Sequence, residues 1–500
     1  MRDDRVRAQG GRTPRPPMPS TPPLSPSPSA PEPTSLPRGQ NGFIPLLLAG
    51  HALVGFALAR TRGHYKNAFI FVVAAALVLW LVGLVKSPQA GAQVVSARTR
   101  AWAWGVASFF TVYNLILEPG TGLRAETDLR PFTLLSGVAV LLVGSCLVPV
   151  SPASRLTRLL SGARTVGFFV LPFALGVHLF AASPAPGIDV WHIHQQGAQA
   201  LLNGQPVYGG AMHTLDSHSL ARTIDAYAYP PLNLLLTTAA YALTGETRHA
   251  QLVCVVLGAL FFWRAARRRV KPGDPLPELL VACLVFHPRG LFTLEQAWGE
   301  PLALPFLGAF VYFLGEGRRT AAAVALGLLC ATKQHFVLYL PFALLLPGVG
   351  WRGVALAVGT AVATFVPFLV WTPGGLWTDL VMHHVTNPFR ADSLSLTAWF
   401  SHQGVRLPGW LGFAGGVAVW AVTLRSRHRP EAVLLGSALA FGVFFFLGRQ
   451  AFCNYYYQVG ATVLAAIVLS LRGAPARVDD AATPGAGESA RAAGSSPLAA

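Results

Sequence analysis

Charge is what this sequence has least of. Only 12% of its 500 residues are Asp, Glu, Lys or Arg, about half the share of an ordinary soluble domain. Acids are the scarcer sign, 21 Asp and Glu against 38 Lys and Arg, for a net charge of +17. Cysteine is sparse too: Cys146, Cys254, Cys283, Cys330 and Cys453 show no C-x-x-C or other metal-ligand spacing, and four of them lie in apolar blocks, where cysteine behaves as a small hydrophobe. The first 41 residues lack the apolar core of a signal peptide, so no cleavable leader is expected there.

What is abundant is apolar sequence, 53% of the chain with a mean hydropathy of +0.48. It falls in blocks such as 43–59, 69–85, 132–150, 166–182 and 432–448, each long enough to cross about 30 Å of hydrocarbon. The fold class is therefore an all-α, polytopic integral membrane protein of about 14 spans (12–14). Residues 1–41, rich in Pro, Ser and Arg, and the Ala- and Gly-rich 473–500 read as disordered cytoplasmic tails. Between them lie four N-terminal spans (42–164) and a larger membrane domain (165–472).

The excess of positive charge would suit nucleic acid, but its placement does not. Arg264, Arg267, Arg268, Arg269 and Lys271 form one run, Arg318 and Arg319 another, and Arg425, Arg427 and Arg429 a third. Short basic runs between apolar blocks mark the cytoplasmic side of a bilayer, so membrane lipids are expected partners and nucleic acid is not. Reading outward from these anchors puts both termini inside and a long polar loop, 184–230, outside. Residues 230–243 are too short to span and read as a juxtamembrane or re-entrant helix. The blocks 275–291, 297–315, 320–332, 335–350, 352–371, 407–424, 432–448 and 455–472 then alternate, and Arg352 also lands inside. Arg60, Arg62 and Lys66 depart from the rule, falling outside in this register.

That register collects polar residues on the outer face: Asp189, His192, His194, Tyr227, Tyr229, Glu295, Gln296, Glu300, Lys333, Gln334, His335, His383, His384, Asn387, Arg390, Asp392, Arg449, Gln450 and Asn454. Ionisable groups at membrane depth are costly and are retained for function. Asp189, His192, Gln196, Gln199 and Asn203 recur at helical spacing, so one face of a short helix ending near Gly204 is expected to carry them. Asp189 itself reads either as an N-cap or as a general base. Lys333, Arg390 and Arg449 read either as interfacial snorkelling cations or, lacking obvious carboxylate partners, as ligands for an anionic headgroup such as phosphate. His383 and His384 have no third ligand at useful spacing, so no metal is expected.

These residues occur in a familiar order. Asp189, then Leu202-Asn-Gly-Gln-Pro-Val-Tyr208, Tyr227-Ala-Tyr-Pro-Pro-Leu232, Gln296, Gly327–Lys333, Arg390–Leu396 and Arg449–Tyr457 resemble the polytopic GT-C glycosyltransferases, most closely family 87, which includes polyprenyl-phosphate-mannose-dependent mannosyltransferases. The likeness covers about 165–472 and leaves out the first four spans and the N-terminal tail. It implies an inverting transfer of one sugar, mannose, from a polyprenyl-phosphate carrier to a hydroxyl of a glycolipid, glycan or protein acceptor, at the extracytoplasmic face of the cell membrane. Asp189 would be the base, and Lys333, Arg390 and Arg449 would hold the donor phosphate in place of a metal, with no cofactor. His192, His194, Tyr229, Gln296, Gln334, Asp392 and Asn454 are the other substrate-binding candidates. A polysaccharide polymerase or ligase acting on lipid-linked glycans is the alternative, although such an enzyme should carry its basic residues in a large late outer loop. A transporter or flippase should show inverted repeats, and none is evident.

Overall fold

A computed structural model describes residues 42–87, 95–118, 128–148, 155–210, 214–215, 223–224 and 226–471, all within one unit spanning 39–500. The expected tails, 1–41 and 473–500, lie outside the described residues. Helices α1 (Phe43–Thr61), α2 (Asn67–Lys86), α3 (Ala97–Val112) and α4 (Arg130–Ser145) open the chain, with one π-turn extending α3 to Leu117. Then follow α5 (Arg155–Ala182), α6 (Asp189–Leu202), α7 (Pro231–Thr244), α8 (Arg248–Arg267), α9 (Leu276–Val285), α10 (Gly290–Glu295), α11 (Glu300–Gly315), α12 (Arg319–Cys330) and α13 (Tyr339–Ala343). The last group is α14 (Gly350–Trp371), α15 (Pro373–Trp377), α16 (His383–Thr386), α17 (Leu396–His402), α18 (Leu411–Thr423), α19 (Pro430–Phe446) and α20 (Cys453–Ser470). Among the described residues the only sheet is a two-stranded antiparallel ladder, β1 (Thr214–Leu215) with β2 (Thr223–Ile224), which pairs Thr214 with Ile224.

Among the described residues, five helical stretches are long and apolar enough to cross a bilayer: Phe43–Thr61, Asn67–Lys86, Arg158–Ala182, Arg248–Arg267 and Gly350–Trp371. Six further apolar helices run 10–17 residues. The outer surface matches a lipid solvent. Along α14 only Ala357 and Phe368 are buried, while Val370 is 82% exposed, as is Leu141 of α4 to 74%. Apolar surface on this scale is stable against acyl chains rather than water.

The helices do not settle the expected count of about 14 (12–14) spans, and two of the expected blocks are broken. Residues 335–350 form a 3₁₀ turn (Gln334–Leu338) and the five-residue α13: Lys333 is extended, Pro341 sits in the first turn of α13, where its missing N–H costs least, and Pro347 follows its end. Residues 275–291 break after Val285, where the residue before Pro288 disfavours helix and Arg289 takes a left-handed conformation (φ 70°). The 230–243 segment is the 14-residue α7, started by Pro231 and ended by a left-handed Gly245.

The basic runs do share one end of the bundle. Arg100 pairs with Asp274 at 2.7 Å, Arg268 pairs with Glu316, Arg269 abuts Gly315, Arg319 abuts Gly348, and Arg429 donates to the Ser87 carbonyl at 2.5 Å. The polar residues of the other helix ends gather at the opposite end, around the loop after α5, the start of α6 and the α1–α2 turn.

Candidate functional site

A cavity of about 540 Å³ opens at that second end. Asp189 lines it together with Tyr229, Gln296, Lys333, Arg390 and Asn454, so six of the sequence candidates meet around one space. Its remaining polar lining includes Glu295, His383, His384, Asn387 and Gln450, with Phe292, Trp298, Phe452 and Tyr455 as aromatic walls.

Asp189 reaches the cavity because α6 is tied down on its other sides. Trp191 Nε1 and Gln195 Nε2 both donate to Glu246 Oε1, at 3.2 and 3.4 Å. Glu246 is itself paired at 2.6 Å with Arg248, which is fully buried and donates on to the carbonyls of Ser183 and Glu295. Asp189 is the first residue of α6, after Ile188 as the cap, and its Oδ1 accepts the Val190 N–H at 2.8 Å. Ile188, not Asp189, thus stands at the N-cap position of α6.

The expected polar stripe on α6 splits. Val190 and Ile193 join Asp189 in the cavity, whereas Gln196, Gln199 and Asn203 line a separate depression with Gln205 and Pro206. His192 packs edge-on against Trp191 and is absent from the cavity wall. His194 is wholly buried behind it, its Nδ1 3.2 Å from the Tyr227 hydroxyl. Burial, helped by the charge of Lys333, pushes its pKa down to about 3, so it is a neutral packing group at physiological pH.

Lys333 and Arg390 both have carboxylate partners, contrary to the sequence expectation. Lys333 Nζ lies 2.5 Å from Glu300 Oε1, which also accepts Asn454 Nδ2 at 2.8 Å. The ammonium sits over the rings of Tyr455 and Tyr229, at 5.0 and 5.8 Å. Burial, reinforced by the negative charges of Asp189 and Glu300, holds the Tyr229 phenol well above its usual range, which puts both carboxylates within electrostatic reach of one hydroxyl. Arg390 grips Asp392 with two bonds of 2.8 Å and stacks on Phe452. That pairing, with His64 added, holds the Asp392 carboxyl well below the ordinary aspartate range.

Arg449 is a correction of position. It does not line the cavity; its guanidinium donates to the carbonyls of Val385 and Asn387, pinning the end of α16. Gln334 acts behind the wall, donating to the Ala228 carbonyl at 2.8 Å and contacting His384 Nε2 at 3.0 Å. Among the described residues no group of three His, Cys, Asp or Glu is arranged to hold a metal ion.

Three residues at or near the cavity were not among the sequence candidates. Arg62 and His64, from the turn between α1 and α2, line the same cavity. Asp379 is buried in the π-turn before α16, where its Oδ2 accepts the N–H of Gly209 at 3.0 Å and of Tyr227 at 3.1 Å. It thus fastens the strand of chain that delivers Tyr229. The anomalous outer position of Arg62 was the one available signal for the first pair. A lone acid in an otherwise apolar stretch was the signal for Asp379.

No protein-family model matches the sequence, and no curated protein matches it either. Among solved structures the chain is similar to ArnT from Cupriavidus metallidurans bound to undecaprenyl phosphate, at 19% identity and a TM-score of 0.40. The match covers 61% of this chain and 60% of that one, so it leaves about two fifths of each unmatched.

Proposed function

We propose that the chain is a GT-C-type membrane glycosyltransferase that moves one sugar, mannose, from a polyprenyl phosphate to a hydroxyl acceptor with inversion. The observation that carries this is the sharing of one cavity by Asp189, Lys333 and Arg390, at the end of the bundle away from the basic runs. By the charge bias of membrane proteins that end is extracytoplasmic. The sequence order of Asp189, Tyr227–Leu232 and Lys333 supports the same family.

In this reading Asp189 accepts the proton of the acceptor hydroxyl as its oxygen attacks the anomeric carbon. The bond from that carbon to the phosphate oxygen breaks, and the electron pair leaves on the lipid phosphate. Lys333 and Arg390 supply the positive potential that favours the departing monoester. Their carboxylate partners hold them in place and temper that potential.

Purified full-length protein in lipid nanodiscs, given a panel of polyprenyl-phosphate sugars and candidate acceptors, tests the proposal. Transfer should occur with inverted anomeric configuration, and Asp189→Asn should lower kcat by about 10²- to 10⁴-fold. Undiminished transfer by that variant removes the base assignment; transfer from nucleotide sugars alone removes the donor class.

A further inference from the structure

The four N-terminal helices fall outside the family resemblance, yet the turn joining the first two is built into the cavity wall. Arg62 and Gly63 are consecutive left-handed residues, with φ of 58° and 80°. Only a glycine fits at 63, since a Cβ there would stand 2.3 Å from the backbone nitrogen of Cys453, at the start of α20. The turn is locked by further bonds. Gly63 N–H donates to Thr61 Oγ1 at 3.1 Å, Tyr65 N–H donates to the Asp392 carbonyl at 2.7 Å, and His64 bridges to Ser393. His64 Nδ1 also lies 3.6 Å from the Asp392 carboxylate that Arg390 holds.

This construction has a price in backbone strain, because a non-glycine residue at positive φ is disfavoured and persists where its surroundings impose it. What the turn delivers is a guanidinium. Of the lysine and two arginines that line the cavity, Lys333 is matched by Glu300 and Arg390 by Asp392. Arg62 is the one with no carboxylate partner among the described residues, and its side chain is exposed. A cavity cation left without an internal counter-charge is the group with the most to gain from an anionic ligand.

We infer that Arg62 is a donor-binding residue: together with Arg390 it clasps the phosphate of the polyprenyl carrier, so the N-terminal helix pair is part of the substrate site. This rests on the proposed function and adds to it a residue outside the stretch that carries the family resemblance. Arg62 supplies the charge that the carrier phosphate neutralises, while Lys333 and Arg390 keep their protein partners.

The test is binding of undecaprenyl phosphate, without sugar, to the full-length protein in nanodiscs of zwitterionic lipid. Parent, Arg62→Gln, Arg62→Gly and Arg98→Gln are compared. Arg62→Gly relieves the positive-φ strain, so poor folding cannot account for a loss of binding in that variant. Both Arg62 variants should bind about 10-fold or more weakly and raise the donor KM, with the acceptor KM unchanged. Arg98→Gln, an exposed charge on α3, should match the parent. Equal binding by parent and Arg62 variants overturns the inference and leaves the glycosyltransferase reading intact. A rise in acceptor KM alone, at unchanged lipid affinity, overturns it too. No binding by the parent overturns both.

Discussion

Lys333 and Glu300 form a 2.5 Å ion pair in which the carboxylate is completely buried and the lysine side chain only 10% exposed. Removing one member of such a pair leaves an uncompensated charge in a poorly hydrated site, which costs about 3–5 kcal/mol. Glu300→Gln and Lys333→Met should each lower the thermal unfolding temperature sharply. The double variant should lose much less than the sum, because it strands neither charge. Strict additivity in a thermal-shift cycle would show that the two groups do not act on each other.

The turn at Gly63 makes a separate stability prediction. Gly63→Ala adds a methyl 2.3 Å from the Cys453 nitrogen at a φ of 80°, so the turn must move away from α20. Strain and lost packing together should cost about 1–3 kcal/mol. Gly105→Ala in α3, which meets nothing within 4 Å, should be neutral or stabilising by up to about 1 kcal/mol. Unfolding temperatures of the two alanine variants, measured side by side, decide it.

Asp379 anchors two backbone N–H groups that have no other acceptor in the described hydrogen bonds. Asp379→Ala should destabilise the protein by about 1–3 kcal/mol, and Asp379→Asn, which keeps an acceptor oxygen, by less. Because Tyr208 donates to the Tyr229 carbonyl at 2.9 Å in the same layer, the alanine variant should also loosen the chain at Tyr208–Gly209 and Tyr227–Tyr229. Faster cleavage there in limited proteolysis is the expected readout; an unchanged pattern would rule out the anchoring role.

His194 predicts a pH dependence. Its folded pKa, about 3, lies below the ordinary histidine value of 6.5, so between those limits the unfolded chain binds the additional proton. Stability should therefore be flat above about pH 6.5 and decline as pH falls from there toward 3. His194→Gln removes this titration, and the slope of unfolding temperature against pH should be shallower in that window. Parallel slopes for parent and variant would refute the assignment.

Much of the architecture is legible from charge. Most basic runs lie at one end of the bundle because lysine and arginine are costly in hydrocarbon and orient the chain, and Arg100, Arg268, Arg319 and Arg429 share that end, while Arg60, Arg62 and Lys66 depart from it. Helix lengths are less legible. An apolar block looks continuous in hydropathy even where Pro288 ends a helix or Lys333 turns extended, so 275–291 and 335–350 read as single spans. The cavity is half legible. Asp189, Lys333 and Arg390 lie in recognisable segments, but the Glu300 that pairs with Lys333 is 33 residues away and meets it only through the fold. Arg449 shows the converse: a basic residue at the right helix end whose donors are absorbed by carbonyls one layer away.

The docking of residue 63 against residue 453 has a consequence for biosynthesis. The α1–α2 hairpin leaves the ribosome long before α20, so Arg62 waits for its neighbour while the helices between them are made. Chains truncated ahead of α20 would lack the helix against which the α1–α2 turn packs, so the cavity around Arg62 would be completed only once α20 has been made.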